Sequence, residues 1–305
     1  MANTITISGL TDYVEQKRDE LFVKSVAGAK TLDYVEIYPN VKYKEALNYL
    51  DSTVVLKDGS VCQWEPDGDD TFSERFIEVK SIKIEKEFCW KKFREKWMNY
   101  QLQFEAGRAT MPLEDKIAES NVNAVKLAVE DLVWKGDASL GISGYTDLIS
   151  AETASAKVEF ATGSTVTEKI DAVVAAIPLG ALKKEGGVRI FLSYTDFRTY
   201  VREQNASCCA NRAPIDAAVE SLPYVGDSRI TLVPVLGLEK ANSGDTGYIV
   251  AASADALVYG TDIEGSESEY RWFYDQKPDT FNLRILFNAG TQIKFPNEVV
   301  LGYEA

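Results

Sequence analysis

No histidine occurs among the 305 residues of this chain. That removes the most frequent general base, the most frequent metal ligand and every Ser–His or Cys–His nucleophile pair. Cysteine is scarce: Cys62, Cys89 and the adjacent Cys208 and Cys209. None falls in a CxxC pair, so zinc-type spacing is missing, and sequence neighbours make poor disulfide geometry. Reduced, partly buried thiols are expected. No run of about 18 apolar residues is present, so no membrane-crossing helix is expected. The opening MANTITISGL lacks the basic and apolar regions of a secretory signal. Neither GxGxxG nor GxxxxGK[ST] occurs, which leaves nucleotides without a phosphate cradle. A basic surplus is lacking too. The net charge is −14, with a balance of −3 over residues 1–112 and −11 over residues 113–305, the opposite sign to a nucleic-acid binder. The acidic run at Asp67, Gly68, Asp69 and Asp70 does not follow the ligand order of a calcium loop. No cofactor, no metal and no catalysis are expected. The alternative from a different class is a histidine-free, carboxylate-based hydrolase, for which 47 acidic residues supply pairs and nothing more.

What is present is a globular composition, 45% hydrophobic and 26% charged, long enough for one large domain or several sub-domains. The most informative stretch is residues 112–149, PLEDKIAESNVNAVKLAVEDLVWKGDASLGISGYTDLI. Leu113, Ile117, Ala124, Ala128 and Leu132 recur at helical spacing, which predicts one long helix with those residues on its buried face. Thr110 suits the N-cap, Pro112 the first turn and Gly136 the stop. Trp134 closes the helix, and Gly136, Gly141 and Gly144 predict a loop after it.

The rest of the chain reads as α+β. Residues 1–48 form an arm, with a thin amphipathic helix at 11–26 and a β-prone segment at 33–38. Residues 49–92 read as a long hairpin: an outgoing strand at 53–56, a turn at Asp58–Gly59, and one alternating return strand at 72–88. Such a hairpin is barely stable alone, so its tip, Pro66, Asp67, Gly68, Asp69 and Asp70, is expected to contact a neighbouring chain. Aromatics at helical steps over 93–104 read as core. Further on, a helix begins near 166, capped by Thr165 or Thr167 with Glu168 in its first turn and ended by Pro178. A strand at 188–193, a helix at 194–205, a loop at 207–216 and strands at 230–235 and 246–252 follow. A short helix at 253–259 is closed by Gly260. Return strands at 269–275, 280–289, 291–295 and 298–302 are separated by turns that include Ala289–Gly290.

Several blocks, taken in order, carry a resemblance: SGLTDYVEQKRDELFVKSVAGAKT in the arm; the hairpin; Glu130, Trp134, Gly136 and Gly144; Ile177–Pro178 with VRIFLSYTDF; RITLVPVLGLEKANSGDTGYIVAAS followed by ADALVYGTDI; and the closing IKFPNEVVLGY. Together they resemble the major capsid proteins of tailed bacteriophages, the HK97-type fold. The resemblance implies an N-terminal arm (1–48), an extended β-hairpin loop (49–92), a peripheral domain with a long spine helix (93–165), an axial domain (166–262) and return strands of the peripheral domain (263–305). It implies structural roles: Leu113, Ile117, Ala128 and Leu132 anchor the spine helix, while Trp134, Gly136 and Gly144 shape its end. It further implies self-assembly into pentamers and hexamers of an icosahedral head that encloses double-stranded DNA without reading its sequence. A portal and separate scaffold or decoration proteins would be partners. The place would be the virion, assembled in a host cytoplasm, with no membrane. No long helical leader precedes the arm, so a fused scaffold is not expected. An encapsulin-type nanocompartment shell shares the fold and is the nearer alternative; the long arm favours the virus.

Overall fold

The computed structural model describes residues 29–52, 54–57, 67–68, 70–89, 113–207, 221–239, 247–262, 269–275 and 280–304. The expected helices at 11–26 and 93–104, the turn at Asp58–Gly59, the tip residues Pro66 and Asp69, and Cys62, Cys208 and Cys209 lie outside them.

Two sheets carry the described chain. The first joins β1 (Glu36–Tyr38), β12 (Leu257–Thr261), β14 (Thr280–Ile293) and β13 (Glu269–Asp275) in that order, with β4 (Lys80–Cys89) on the other side of β14. The second runs β7 (Ala156–Phe160), β15 (Val299–Glu304), β11 (Ile249–Ser253), β8 (Val188–Ser193), β10 (Asp227–Val235) and β9 (Leu222–Tyr224). β8 and β10 are parallel, and α5 (Tyr194–Ser207) lies in the connection that a parallel pair requires. A separate antiparallel ribbon pairs β2 (Lys44–Ser52) with β3 (Asp70–Glu78), and a small one pairs β5 (Gly136–Asp137) with β6 (Ile142–Ser143).

Side-chain alternation explains how the layers stack. Along the second sheet Ile190, Leu192, Leu232, Ile249, Ala251 and Val300 face one core, shared with α3 (Val166–Ala176), α4 (Leu179–Lys183) and α5. Phe191, Val233, Val235, Val250, Ala252 and Val299 face the other, which they share with the first sheet, α1 (Leu113–Lys135) and α2 (Tyr145–Ala151). A sheet covered on both faces needs nearly continuous apolar strands, and VRIFLS and IVAAS are of that kind. α3 starts at a capping box: Glu168 N–H donates to Thr165 Oγ1 at 3.2 Å, and Thr165 N–H donates to Glu168 Oε2 at 2.9 Å.

Several expectations are corrected. The long helix buries Val122, Val125, Val129 and Val133, while Ala124 and Ala128 are exposed and Leu132 is half-buried. The true face carries the polar Asn121 and Glu130, and these masked its apolar period. Residues 54–57 form no strand, so the outgoing arm of the hairpin is β2, which starts inside the segment read as arm. The return is two strands, broken at Val79, where the chain leaves the ribbon and joins the first sheet. Of residues 253–259, Ser253 ends β11, 254–256 are a turn and the rest open β12, fully buried between β1 and β14, where Leu257, Val258 and Tyr259 suit a strand. Ala289–Gly290 is not a turn; β14 runs straight through it. Residues 145–151, to which the sequence reading gave no element, are α2. Cys89 is a free, exposed thiol, since it falls on the solvent side of β4.

Candidate assembly surfaces

The hairpin leaves the first sheet beside the end of β14 and is seated at its root. Tyr43 O accepts from Val79 N–H at 3.0 Å, and Leu47, Ile77, Val79, Val41 and Val258 form a small core beneath it. The seat is a pair of glycines. Gly260 of β12 lies directly opposite Gly290 of β14 in the sheet register. A Cβ on Gly260 would stand 2.8 Å from Ile77 Cδ1; one on Gly290 would overlap the Glu78 carbonyl oxygen and stand 2.9 Å from its carbon. The chain crosses the sheet at this bare patch because no side chain fills it. Sequence reading missed both roles, although glycine inside a strand pattern is the usual sign of a close backbone approach.

The hairpin exposes apolar side chains to solvent. Leu56 is 94% exposed, Val54 80% and Phe72 80%, with Val55 and Phe76, and Tyr43 at the root, also exposed. Toward the tip, Lys57 Nζ lies 3.3 Å from Asp67 Oδ2, and Asp67 Oδ1 accepts from Gly68 N–H at 3.0 Å. Asp70 opens β3 opposite Ser52.

A second node closes the long helix. Trp134, fully buried, packs against Phe191 at 5.1 Å and Tyr145 at 5.6 Å between ring centres. Its Nε1–H donates to Thr31 Oγ1 at 2.7 Å. Thr31 in turn donates its hydroxyl and, at 3.2 Å, its N–H to the buried carboxylate of Glu130. Three bonds therefore tie the root of the arm to the last turns of α1. Burial pushes the Glu130 carboxyl above its ordinary range, against the pull of the Thr31 bonds and of Lys30. The Trp134 carbonyl accepts from Thr146 Oγ1 at 2.7 Å, which docks α2 onto the helix end. Gly136 (φ +69°) and Gly144 meet back to back: a Cβ on Gly136 would stand 2.6 Å from Ile142 O, and one on Gly144 would overlap Trp134 O. Burial also pushes the Tyr145 and Tyr259 hydroxyls upward.

The structure thus joins Trp134, Gly136 and Gly144 in one node, and places Asp67, Gly68 and Asp70 on the hairpin, far along the chain from it. Leu113 lies in the first turn of α1 and Ile117 in its second. Among the described residues, no group of three or more acidic or cysteine side chains is placed to hold a metal ion, and no helix is long and apolar enough to cross a membrane.

No protein-family model matches the chain, and no curated protein matches it. Solved structures do. A structure of Mycobacterium phage Ogopogo superimposes with a TM-score of 0.60 at 12% identity, covering 90% of this chain and 91% of that one. The satellite phage P4 procapsid, which includes the size determination protein, gives 0.56 at 10% identity, covering 95% and 98%. A virus-like particle from Pyrococcus furiosus gives 0.54 at 10% identity, covering 95% and 99%. The fold of the chain is the HK97-type capsid fold, an α+β architecture.

Proposed function

We propose that this chain is a major capsid protein. It assembles with copies of itself into pentamers and hexamers of an icosahedral head that encloses double-stranded DNA. The observation that carries the reading is the hairpin. A single chain gains nothing by holding Leu56, Val54 and Phe72 in water on an outlying ribbon. A chain that meets copies of itself gains their burial, at about 25 cal/mol per Å² of apolar surface. The carboxylate surplus fits a wall that DNA can pass without sticking, since an acidic surface releases no counterions from DNA. The role is structural and non-enzymatic, in the virion. A portal and a separate scaffold or decoration protein complete the list of partners.

One second reading shares the same fold, an encapsulin-type nanocompartment shell. Both readings are tested by negative-stain microscopy of the purified chain, alone and with the product of the neighbouring gene. Closed shells or five- and six-membered rings are expected. Packaged DNA marks a virus, and a packaged enzyme marks a compartment. Replacing residues 53–69 by a short Gly–Ser linker is expected to leave a folded chain that closes no shell. Normal shells from that variant would refute the hairpin's role.

A further inference from the structure

The hairpin is joined to the first sheet at one end only, through Val79 between β3 and β4 and through residues 39–43 between β1 and β2. A two-stranded ribbon held at one end should swing. Contacts farther along the ribbon hold it. Arg75, four residues before Val79 on β3, sends Nη1 to Ile293 O at 3.2 Å and to Glu152 Oε1 at 2.7 Å. One guanidinium therefore ties the ribbon to the end of β14 and to the residue that caps α2. Beside it, Gln292 Nε2–H donates to Phe76 O at 2.7 Å, and the Tyr49 ring meets Phe295 edge-on at 5.4 Å. The Arg75 and Glu152 side chains keep 22% and 26% of their surface in water, so this pair is better shielded than an ordinary surface pair. The planar guanidinium serves both acceptors from one rigid fork, where a lysine offers a flexible point charge.

We infer that Arg75, through Glu152 and Ile293 O, is a positioning residue that locks the take-off direction of the hairpin, with the root at Val79 and Tyr43 as the pivot. The lock belongs to the single chain and acts before any neighbour arrives. At about 3.3 Å per strand residue, Arg75 grips about 13 Å from the pivot, and the ribbon end at Asp70 lies about 30 Å from it. A release that lets the ribbon swing by about 20° therefore carries its end through about 10 Å. Glu152 supplies the off-switch: it stands outside the ribbon, so its loss frees the lever without touching the β2–β3 ladder.

The test is a distance measurement by pulsed electron paramagnetic resonance on the full chain. The four cysteines are replaced by serine, and nitroxides are placed at Phe72→Cys on the ribbon and Glu159→Cys on β7. The labelled chain is diluted with unlabelled chain so that distances within one molecule are read. The parent is expected to give one narrow distribution. Arg75→Met and Glu152→Gln are each expected to broaden or shift it by about 8 Å, and Arg75→Lys, which keeps the charge and donors for Glu152 and Ile293 O, to stay closer to the parent than Arg75→Met. A merely structural loss of the side chain would not separate the lysine from the methionine variant. Unchanged distributions in both Arg75→Met and Glu152→Gln, or like distributions for lysine and methionine, would overturn the assignment. If Arg75→Met fails to fold by circular dichroism, the Glu152→Gln result decides alone. The reading is independent of shell formation: a free lever with normal shells refutes the lock as the determinant of assembly geometry only, and absent shells leave the distance result standing.

Discussion

The glycine pair under the hairpin root allows a prediction whose sign opposes ordinary propensity. Alanine in place of a strand glycine should stabilise by about 0.5–1 kcal/mol, because it removes freedom from the unfolded chain. At Gly260 the added methyl meets the far end of a flexible side chain: Ile77 Cδ1 at 2.8 Å, with Val79 Cγ1 at 3.1 Å. A rotamer change at Ile77 relieves this, so the cost of about 1 kcal/mol roughly cancels the gain. At Gly290 the methyl meets backbone: it overlaps the Glu78 carbonyl oxygen and stands 3.1 Å from Val79 Cα. Neither can turn away. The crossing must lift off the sheet and uncover Ile77, which is fully buried. Overpacking that backbone must absorb lies at the upper end of its range, about 3 kcal/mol. The assay is hydrogen exchange by mass spectrometry on peptides spanning Val79, whose amide bonds Tyr43 O. At 1.4 kcal/mol per tenfold, Gly290→Ala should speed that exchange about a hundredfold, and Gly260→Ala should leave it within about threefold. The reasoning is refuted if the two variants exchange alike.

Further predictions concern the node at the helix end. Burial raises the Glu130 carboxyl above its unfolded value, so its contribution to stability is complete below the ordinary carboxylate pKa and is lost as pH rises through the raised one. Thermal unfolding followed across that window should fall with pH in the parent and flatten in Glu130→Gln, which keeps an acceptor for Thr31 N–H; parallel curves would contradict the sign. Gly144→Ala, aimed at Trp134 O, and Gly136→Ala, strained by its positive φ and set 2.6 Å from Ile142 O, should each cost more than about 2 kcal/mol in a denaturation midpoint. Trp134→Phe keeps the ring stack but leaves Thr31 Oγ1 without its donor; about 1–2 kcal/mol should be lost, which a calorimetric scan would show.

What the sequence determined by itself was local or compositional. The absence of histidine and the acidic surplus excluded whole classes of chemistry, because those rest on side-chain type and not on position. The helix start near 166 with Glu168 in its first turn, the strand at Val188–Ser193 and the stop of the long helix at Gly136 were legible because each is decided within a few neighbouring residues, and the structure chose Thr165 over Thr167 as the cap. Only the tertiary structure decided which face of α1 is buried, since Glu130 and Asn121 belong to that face through partners distant in sequence, Thr31 and Lys86. It decided that residues 257–261 are a strand, because their ladders run to β1 and β14 from far along the chain. It also gave Gly260 and Gly290 their meaning. As single letters they read as a helix stop and a turn; as opposed residues in one sheet they are the gap through which the hairpin crosses. A missing side chain leaves no local signal of what will occupy its space, and at Gly290 the occupant is the Glu78 backbone, 212 residues away in sequence.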